Sequence, residues 1–407
     1  MHPEMPPAQR VMELERTYLL QNYARYPLAL KRGRGCWLYD LEGRRYLDLI
    51  TGIGVNALGH AHPRIVRAIR EQASLLIHSS NLYYHEYQGP LAKKICETSG
   101  MQRVFFCNSG TEAIEAAIKM ARARGRKIHA EKIEIIAFEN SFHGRTMGAL
   151  SITGQPKYRE PFEPLLPGVR IVSPCDDAAL EEAAGPRTAA IFAEPIQGEG
   201  GIYPMPGEWL RRLRQLADRH DALLVFDEIQ CGIGRPGTYH AYQLHEPPVM
   251  PDIVTLAKPI AAGLPLGAVA CNEKAAAAIG PGMHGTTFGG GALACRVALE
   301  FYDILDELLP QMRRVSSYFF SGLHELQREF SFIREVRGAG LMIGVELDFP
   351  CKHLVQAGME QGLLFNVTHE TVIRMLPPYI LTEKEVDRAL AGLRKIFRTA
   401  KPASAAA

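Results

Sequence analysis

The sequence predicts an α/β protein with a mostly parallel sheet covered by helices on both faces. Three observations point there. "RVFFCN", "KIEIIAF", "TAAIFAEP", "ALLVFDEI" and "DIVTLA" are short apolar runs, the pattern of strands buried on both faces. Stretches with helical spacing separate them, such as "TEAIEAAIKMARARG" and "GEWLRRLRQLADRHD", and strands alternating with helices build parallel sheets. The 407 residues exceed one compact core of usual size, so two domains, or one large domain with an appendage, are expected.

Along the chain, residues 1–10 are proline-rich and expected to be loose. "VMELERTYLLQNYAR" then predicts a short helix, and "GCWLYDLEGRRYLDLI" a hairpin turning at Glu42-Gly43. "PRIVRAIREQASLL" has apolar residues at helical spacing. After "TTFGGGALACRVALEFYDILDEL" the texture changes. "FIREVRGAGLMIGVEL", "GLLFNV" and "TVIRMLPP" predict the strands of a smaller α+β domain, which "EKEVDRALAGLRKIFRTA" closes as a helix. The tail "KPASAAA" is expected to be disordered. Boundaries follow at 1–60 (a segment of the small domain), 61–300 (the large domain) and 301–407 (the rest of the small domain).

Charge and cysteine usage exclude several classes. Lys and Arg number 46 against 44 Asp and Glu, which gives no electrostatic pull toward nucleic acid or an anionic membrane. Eight scattered cysteines without a C-x-x-C spacing read as reduced thiols, not a disulfide framework. The start lacks a basic segment followed by an apolar one, and no apolar run approaches a membrane span. A cytoplasmic enzyme is the expectation.

Several residues stand where chemistry is done. Lys258 in "TLAKP" follows a buried-type strand, although lysine is costly to bury; it is either a surface lysine at a strand end or a nucleophile made neutral by its surroundings. Ser109, Gly110 and Thr111 join a strand to a long helix, and either cap that helix or hold an anion at its N-terminus. Asp227 ends the apolar run of "ALLVFDEIQ", at the strand end where open sheets bind ligands; a helix cap or a structural salt bridge is the alternative. Arg374 ends an apolar run and Arg145 lies near a strand end; both have the fork geometry that suits carboxylates, although singly each is an ordinary surface or interface arginine. "GIGRPG" has the spacing of a dinucleotide loop, but Pro236, polar aromatics and Pro247-Pro248 replace the helix that must follow. His60 and His62 lack acidic or cysteine partners at ligand spacing, so no metal is expected.

Taken together, "GHAHP", "CNSGTEAIEAAIKMAR", "FHGRT", "EPIQGEGG", "LLVFDEIQCGIGRPG", "DIVTLAKPIAAGLPLGA" and "HGTTFGGGALAC" resemble the class III (subgroup II) pyridoxal-phosphate aminotransferases of fold type I, over residues 20–398. That resemblance implies a large domain built on a seven-stranded type of sheet, pyridoxal 5'-phosphate as cofactor, and a homodimer with shared active sites. It places Lys258 as the lysine that carries the cofactor, with Pro259 and the following turn expected to keep a helix from starting there. Asp227 then faces the pyridine nitrogen, Gln230 the ring hydroxyl and Phe142 the ring face. His143 joins the cofactor-binding residues. Ser109, Gly110 and Thr111 take the phosphate, with Thr287 reaching the phosphate of the neighbouring subunit. On the substrate side it places Arg145 and Arg374 as carboxylate clamps, Glu199 as the partner of Arg374, and Asn81 and Thr286 as further contacts.

"SNLYY", "VFFCNSG", "ENSFHGRT", "TGQPKY" and "IRMLPP" carry a closer likeness to the members that transaminate N-acetylornithine with 2-oxoglutarate. Succinylornithine, ornithine, 4-aminobutyrate and a carrier-bound aminoadipate semialdehyde are the alternative donors, and an aminomutase or decarboxylase the alternative reaction. Ile53 stands where ornithine-specific relatives are expected to carry a tyrosine. Ile114, Cys231, Pro259 and "GGGALAC" also depart from the family's commoner residues.

Overall fold

The computed structural model describes residues 5–400. Its large sheet has seven strands: β1 (Arg103–Cys107), β2 (Glu134–Phe138), β3 (Val169–Val172), β4 (Thr188–Ala193), β5 (Leu223–Asp227), β6 (Ile253–Leu256) and β7 (Gly267–Cys271). Their order is β1-β7-β6-β5-β4-β2-β3. β6, β5, β4, β2 and β3 pair in parallel. β7 is antiparallel to both β6 and β1, so it alone runs against the other six. The fold is thus α/β with a mostly parallel sheet, as its alternating pattern predicts.

Apolar clusters cover both faces of this sheet. Ile136, Leu224, Phe226 and Val254 point into one, with Trp209, Leu213 and Phe301 from helices. Ile135, Val225 and Ile253 point into the other, against Ala113, Ala117 and Ala121 of helix α1 (Gly110–Ile128). Alternate residues of each strand face opposite sides, which is why a doubly covered strand must be apolar throughout.

The predicted hairpin is present: Trp37–Asp40 pairs antiparallel with Arg45–Asp48. Leu363–Leu364 joins Arg45–Asp48 in parallel, tying the two ends of the chain together. A second four-stranded sheet holds Ile333–Ala339, Met342–Leu347, Val372–Met375 and Asn366–Thr368. Cys36, Leu47 and Leu49 share a core with Ile343, Phe365 and Leu393. Helix α2 (Ala292–Glu329) sends Cys295, Phe301 and Leu305 into the core of the large sheet and Phe319, Leu323 and Leu326 into this one. Position 300/301 therefore falls inside a continuous helix. The closing helix α3 spans Glu383–Thr399, with Thr382 and Glu385 forming a capping box.

Two local expectations are corrected. The first helix starts at Pro7, inside the stretch expected to be loose, because proline suits a first helical turn. The same rule acts at Lys258: a 3-10 turn, Lys258–Ala261, starts there with Pro259 in its first turn, where the missing N–H costs nothing. The expectation of disorder for "KPASAAA" lies outside the described residues. "GIGRPG" forms turns, and Arg235 within it donates to the carbonyls of Leu341 and Pro377 at 3.1 and 2.5 Å.

Candidate active site

Five strand ends meet at one edge of the large sheet because those strands run the same way. β5 ends in Asp227, and Thr255 lies beside it in register on β6. Lys258 follows two residues after β6, and Glu194 directly follows β4. The loop after β2 carries Phe142 and His143, and the loop after β1 carries Ser109. This is the carboxyl edge where open α/β sheets place their ligands. A cavity of about 370 Å³ lies there, within the size of small-molecule sites. Its lining includes Ser109, Thr111, Phe142, Asp227, Gln230 and Lys258.

Asp227 is buried and fully engaged. One carboxylate oxygen accepts the Ile229 N–H at 3.0 Å and the Thr255 hydroxyl at 3.3 Å. The other lies 2.7 Å from Nδ1 of His143. Burial opposes a charge on His143, but the hydrogen bond and charge of Asp227 outweigh it and raise the imidazole pKa. The far nitrogen, Nε2, is buried without a protein partner among the described residues.

Lys258 is half-buried and lines the cavity. Desolvation pushes its pKa down and Arg374 adds to this, while Asp227, Glu199 and Glu194 oppose them. The net shift is toward a neutral amine, the form a nucleophile needs. Its φ of +32° is positive, a backbone conformation that side chains other than glycine adopt uncommonly.

At the N-terminus of α1, Ser109 caps the helix by accepting the Glu112 N–H at 3.3 Å. The Thr111 hydroxyl meets that of Thr146 at 2.9 Å. Capping and anion binding are therefore compatible here: the cap engages Ser109, while the amides of the first turn face the cavity edge. Gly144 lets the chain pass, since a Cβ there would stand 2.3 Å from the Thr111 hydroxyl.

Arg374 is buried and donates to Glu199 at 2.5 Å, to Gln230 at 3.1 Å and to Asn366 at 3.1 Å. Desolvation would raise the Glu199 pKa, but the guanidinium outweighs it and holds the carboxylate ionised. Arg145 is exposed at the mouth, 4.0 Å over the Tyr158 ring and 5.3 Å from that of Phe142.

Lys258, Asp227, His143, Gln230, Phe142, Ser109, Gly110, Thr111 and Arg145 thus come to one cavity, with Glu199 and Arg374 beside it. Asn81, Thr286 and Thr287 do not join them. Asn81 donates to the carbonyls of Gly289 and Thr286 at 3.0 and 3.4 Å, and both Asn81 and Thr286 line a neighbouring pocket. The Thr286 hydroxyl accepts from Asn108 at 3.1 Å, which links that pocket to the phosphate-type loop. Thr287 is exposed.

Glu194, the first residue of "EPIQGEGG", also lines the cavity, although the sequence alone assigns it no role. Its signal was the one that marks Asp227, an acid directly after a buried strand.

Residues 18–397 match the model of the class-III aminotransferases. The acetylornithine aminotransferase of Methanocaldococcus jannaschii is 46% identical over 96% of this chain and 98% of that protein. The acetylornithine aminotransferase structure of Elizabethkingia anophelis superposes with a TM-score of 0.86 at 32% identity, covering 97% of this chain and all of that one. The ornithine aminotransferase structure of Toxoplasma gondii, described with partial occupancy of PLP at its active site, gives 0.90 at 34% identity over 97% of this chain and 95% of that one. With matches along nearly its whole length, and with a half-buried lysine and an aspartate–histidine pair at one sheet edge and a paired arginine beside them, the chain belongs to the class-III aminotransferases.

Proposed function

We propose that the chain transfers the terminal amino group of N-acetylornithine to 2-oxoglutarate, giving N-acetylglutamate 5-semialdehyde and glutamate. The observation that carries this is the meeting of Lys258, made easier to deprotonate by burial, with the Asp227–His143 pair in one cavity beside the α1 N-terminus.

The cavity suits pyridoxal 5'-phosphate, the cofactor of this family. The α1 N-terminus with Ser109, Gly110 and Thr111 offers amides and hydroxyls for a phosphate. The Phe142 ring offers a face, Gln230 a side-chain amide and Asp227 a carboxylate held in place by His143 and Thr255. When bound, the cofactor supplies an electron sink for charge that develops on the donor carbon. Lys258 Nζ takes the proton from that carbon and delivers it onward. Glu199 masks Arg374 while the donor is bound, and Arg145 holds the donor's carboxylate. With 2-oxoglutarate, Glu199 turns aside, Arg374 takes the α-carboxylate and Arg145 the far one.

A homodimer fits the surface. Leu75, Ile77, Leu82, Tyr83, Tyr84 and Phe288 are all exposed, and Phe288 packs against His78 at 5.5 Å between ring centroids. An apolar patch of this kind supports an interface, and the position of Asn81, Thr286 and Thr287 on the same segments supports a role for them in a second subunit's site. On this reading 1–60 and 301–407 form the small unit and 61–300 the large one, a division supported by the core that Leu47 shares with Leu393. No described helix is long and apolar enough to cross a membrane; cytoplasmic residence is part of the proposal.

The test is the visible absorption of the purified, cofactor-loaded protein with N-acetylornithine, ornithine and 4-aminobutyrate in parallel. The bound-cofactor band is expected to fade fastest with N-acetylornithine and to return with 2-oxoglutarate. A faster response to another donor overturns the substrate, and no response to any donor overturns the reaction.

A further inference from the structure

The mechanism above leaves Glu194 without a part. It is 5% exposed, and a buried carboxylate is costly unless its oxygens are satisfied. Both are. One accepts the Phe142 N–H at 2.8 Å and the other the Gly198 N–H at 3.0 Å. The two amides belong to different loops: the one after β2 that bears Phe142 and His143, and the turn that bears Glu199. A second tie runs parallel to the first, since the Gln197 side chain donates to the Glu139 carbonyl at 2.9 Å.

The turn also abuts the arginine network. A Cβ at Gly198 would stand 2.3 Å from Gln230 Oε1, the atom that accepts from Arg374 at 3.1 Å. Beyond it, the Glu199 carbonyl accepts the Thr368 hydroxyl at 2.5 Å. A carboxylate is the side-chain group that accepts two N–H donors on two separate oxygens, whereas an amide offers one acceptor oxygen.

We propose that Glu194 is a positioning residue that clips the Glu199 turn to the Phe142 loop, so that Arg374 is unmasked by rotation of the Glu199 side chain alone while the ring-facing wall stays in place. This rests on the transaminase reading. It has a directional consequence. Freeing the turn lets Glu199 drift from Arg374. 2-Oxoglutarate competes with Glu199 for that arginine and gains; the amine donor needs it masked and loses.

The experiment uses full-length Glu194→Gln and Glu194→Ala protein. The KM of the donor is expected to rise about tenfold, the effect of one hydrogen bond to a charged group, while that of 2-oxoglutarate stays level or falls. Hydrogen exchange in the cofactor-free protein is expected to quicken together in 139–146 and 197–201. An equal rise in both KM values, or loosening of one segment alone, overturns the clip. Should both variants fail to fold, Gln197→Leu cuts the parallel tie and is expected to show the same KM split and the same joint loosening more weakly; an unsplit KM or loosening of one segment overturns it there too. If the unsubstituted enzyme responds to no donor, the transaminase reading falls, and the exchange result still decides whether the two loops are clipped.

Discussion

His143 Nδ1 lies 2.7 Å from Asp227 Oδ2 in a buried pair whose members are 84 residues apart in the chain. The pair makes Asp227 more than an isolated acid: its carboxylate is oriented by a histidine on one side and by Thr255 on the other. Replacing Asp227 by Asn removes the charge and keeps the shape. Turnover is expected to fall about 10²–10³-fold, as for loss of one preorganised electrostatic partner, with the cofactor still bound. His143→Asn leaves the charge but frees its orientation and is expected to cost less. Single-turnover rates of the donor half-reaction in the two variants give the ranking.

The large sheet was legible because burial on both faces writes itself into consecutive apolar residues, and five of its strands carry that signature. Val169–Val172 is short and interrupted by Arg170, and Gly267–Cys271 is built largely from small residues, so neither stands out. Asp227 was legible as an acid at a strand end. Glu194 obeys the same pattern after Thr188–Ala193; its contact with Gly198 is local, but its other partner, Phe142, is set by the packing of two loops and not by spacing. The meeting of His143 with Asp227 likewise depends on β2 and β5 both flanking β4, which is a fact of topology.

Glu199 and Arg374 form a charged pair beside the Lys258 cavity. Pairing holds the Glu199 pKa below its ordinary value against the pull of burial, so the mask is charged throughout the neutral range. Glu199→Ala leaves Arg374 exposed to carboxylates at all times. The donor half-reaction is expected to lose about tenfold or more in kcat/KM, since a buried charge has lost its partner, while the 2-oxoglutarate half-reaction changes little. Stopped-flow measurement of each half separately checks this, and equal losses would contradict the masking role.

Glu228, next to Asp227, is buried and accepts the amides of Ala241 and Tyr242 at 2.8 and 3.0 Å. Burial pushes its pKa up to about 8, against an ordinary 4.5, and the two amides only partly offset this. A carboxyl with a raised pKa keeps its proton longer in the native state than in the unfolded one. Stability therefore declines as pH rises from about 4.5 toward 8 on account of this group. Glu228→Gln fixes the neutral form and removes that slope. Its melting temperature relative to the unsubstituted protein is expected to improve steadily between pH 5 and pH 8; a constant offset would mean that Glu228 does not titrate in this range.

Ile53 lies in a run of four left-handed residues, Thr51 to Gly54, with φ of 50, 63, 64 and 82°. A β-branched residue resists that conformation at a cost of about 1–2 kcal/mol, so the turn is held by its surroundings: Asp48 accepts the Thr51 N–H at 2.8 Å, and the Thr51 hydroxyl donates to the Leu376 carbonyl at 2.7 Å. The turn borders the cavity, since a Cβ on Gly54 would sit 3.8 Å from Lys258 Cδ. Ile53 itself is 41% exposed, leaving room for a larger ring. It offers a donor only apolar surface, which suits a blocked amine better than a charged one. Ile53→Tyr adds a hydroxyl for a free α-amino group to meet. The ratio of kcat/KM for ornithine to that for N-acetylornithine is expected to rise about tenfold, the gain from one hydrogen bond to a charged group. A ratio unchanged by the substitution would place donor selection elsewhere on the cavity wall.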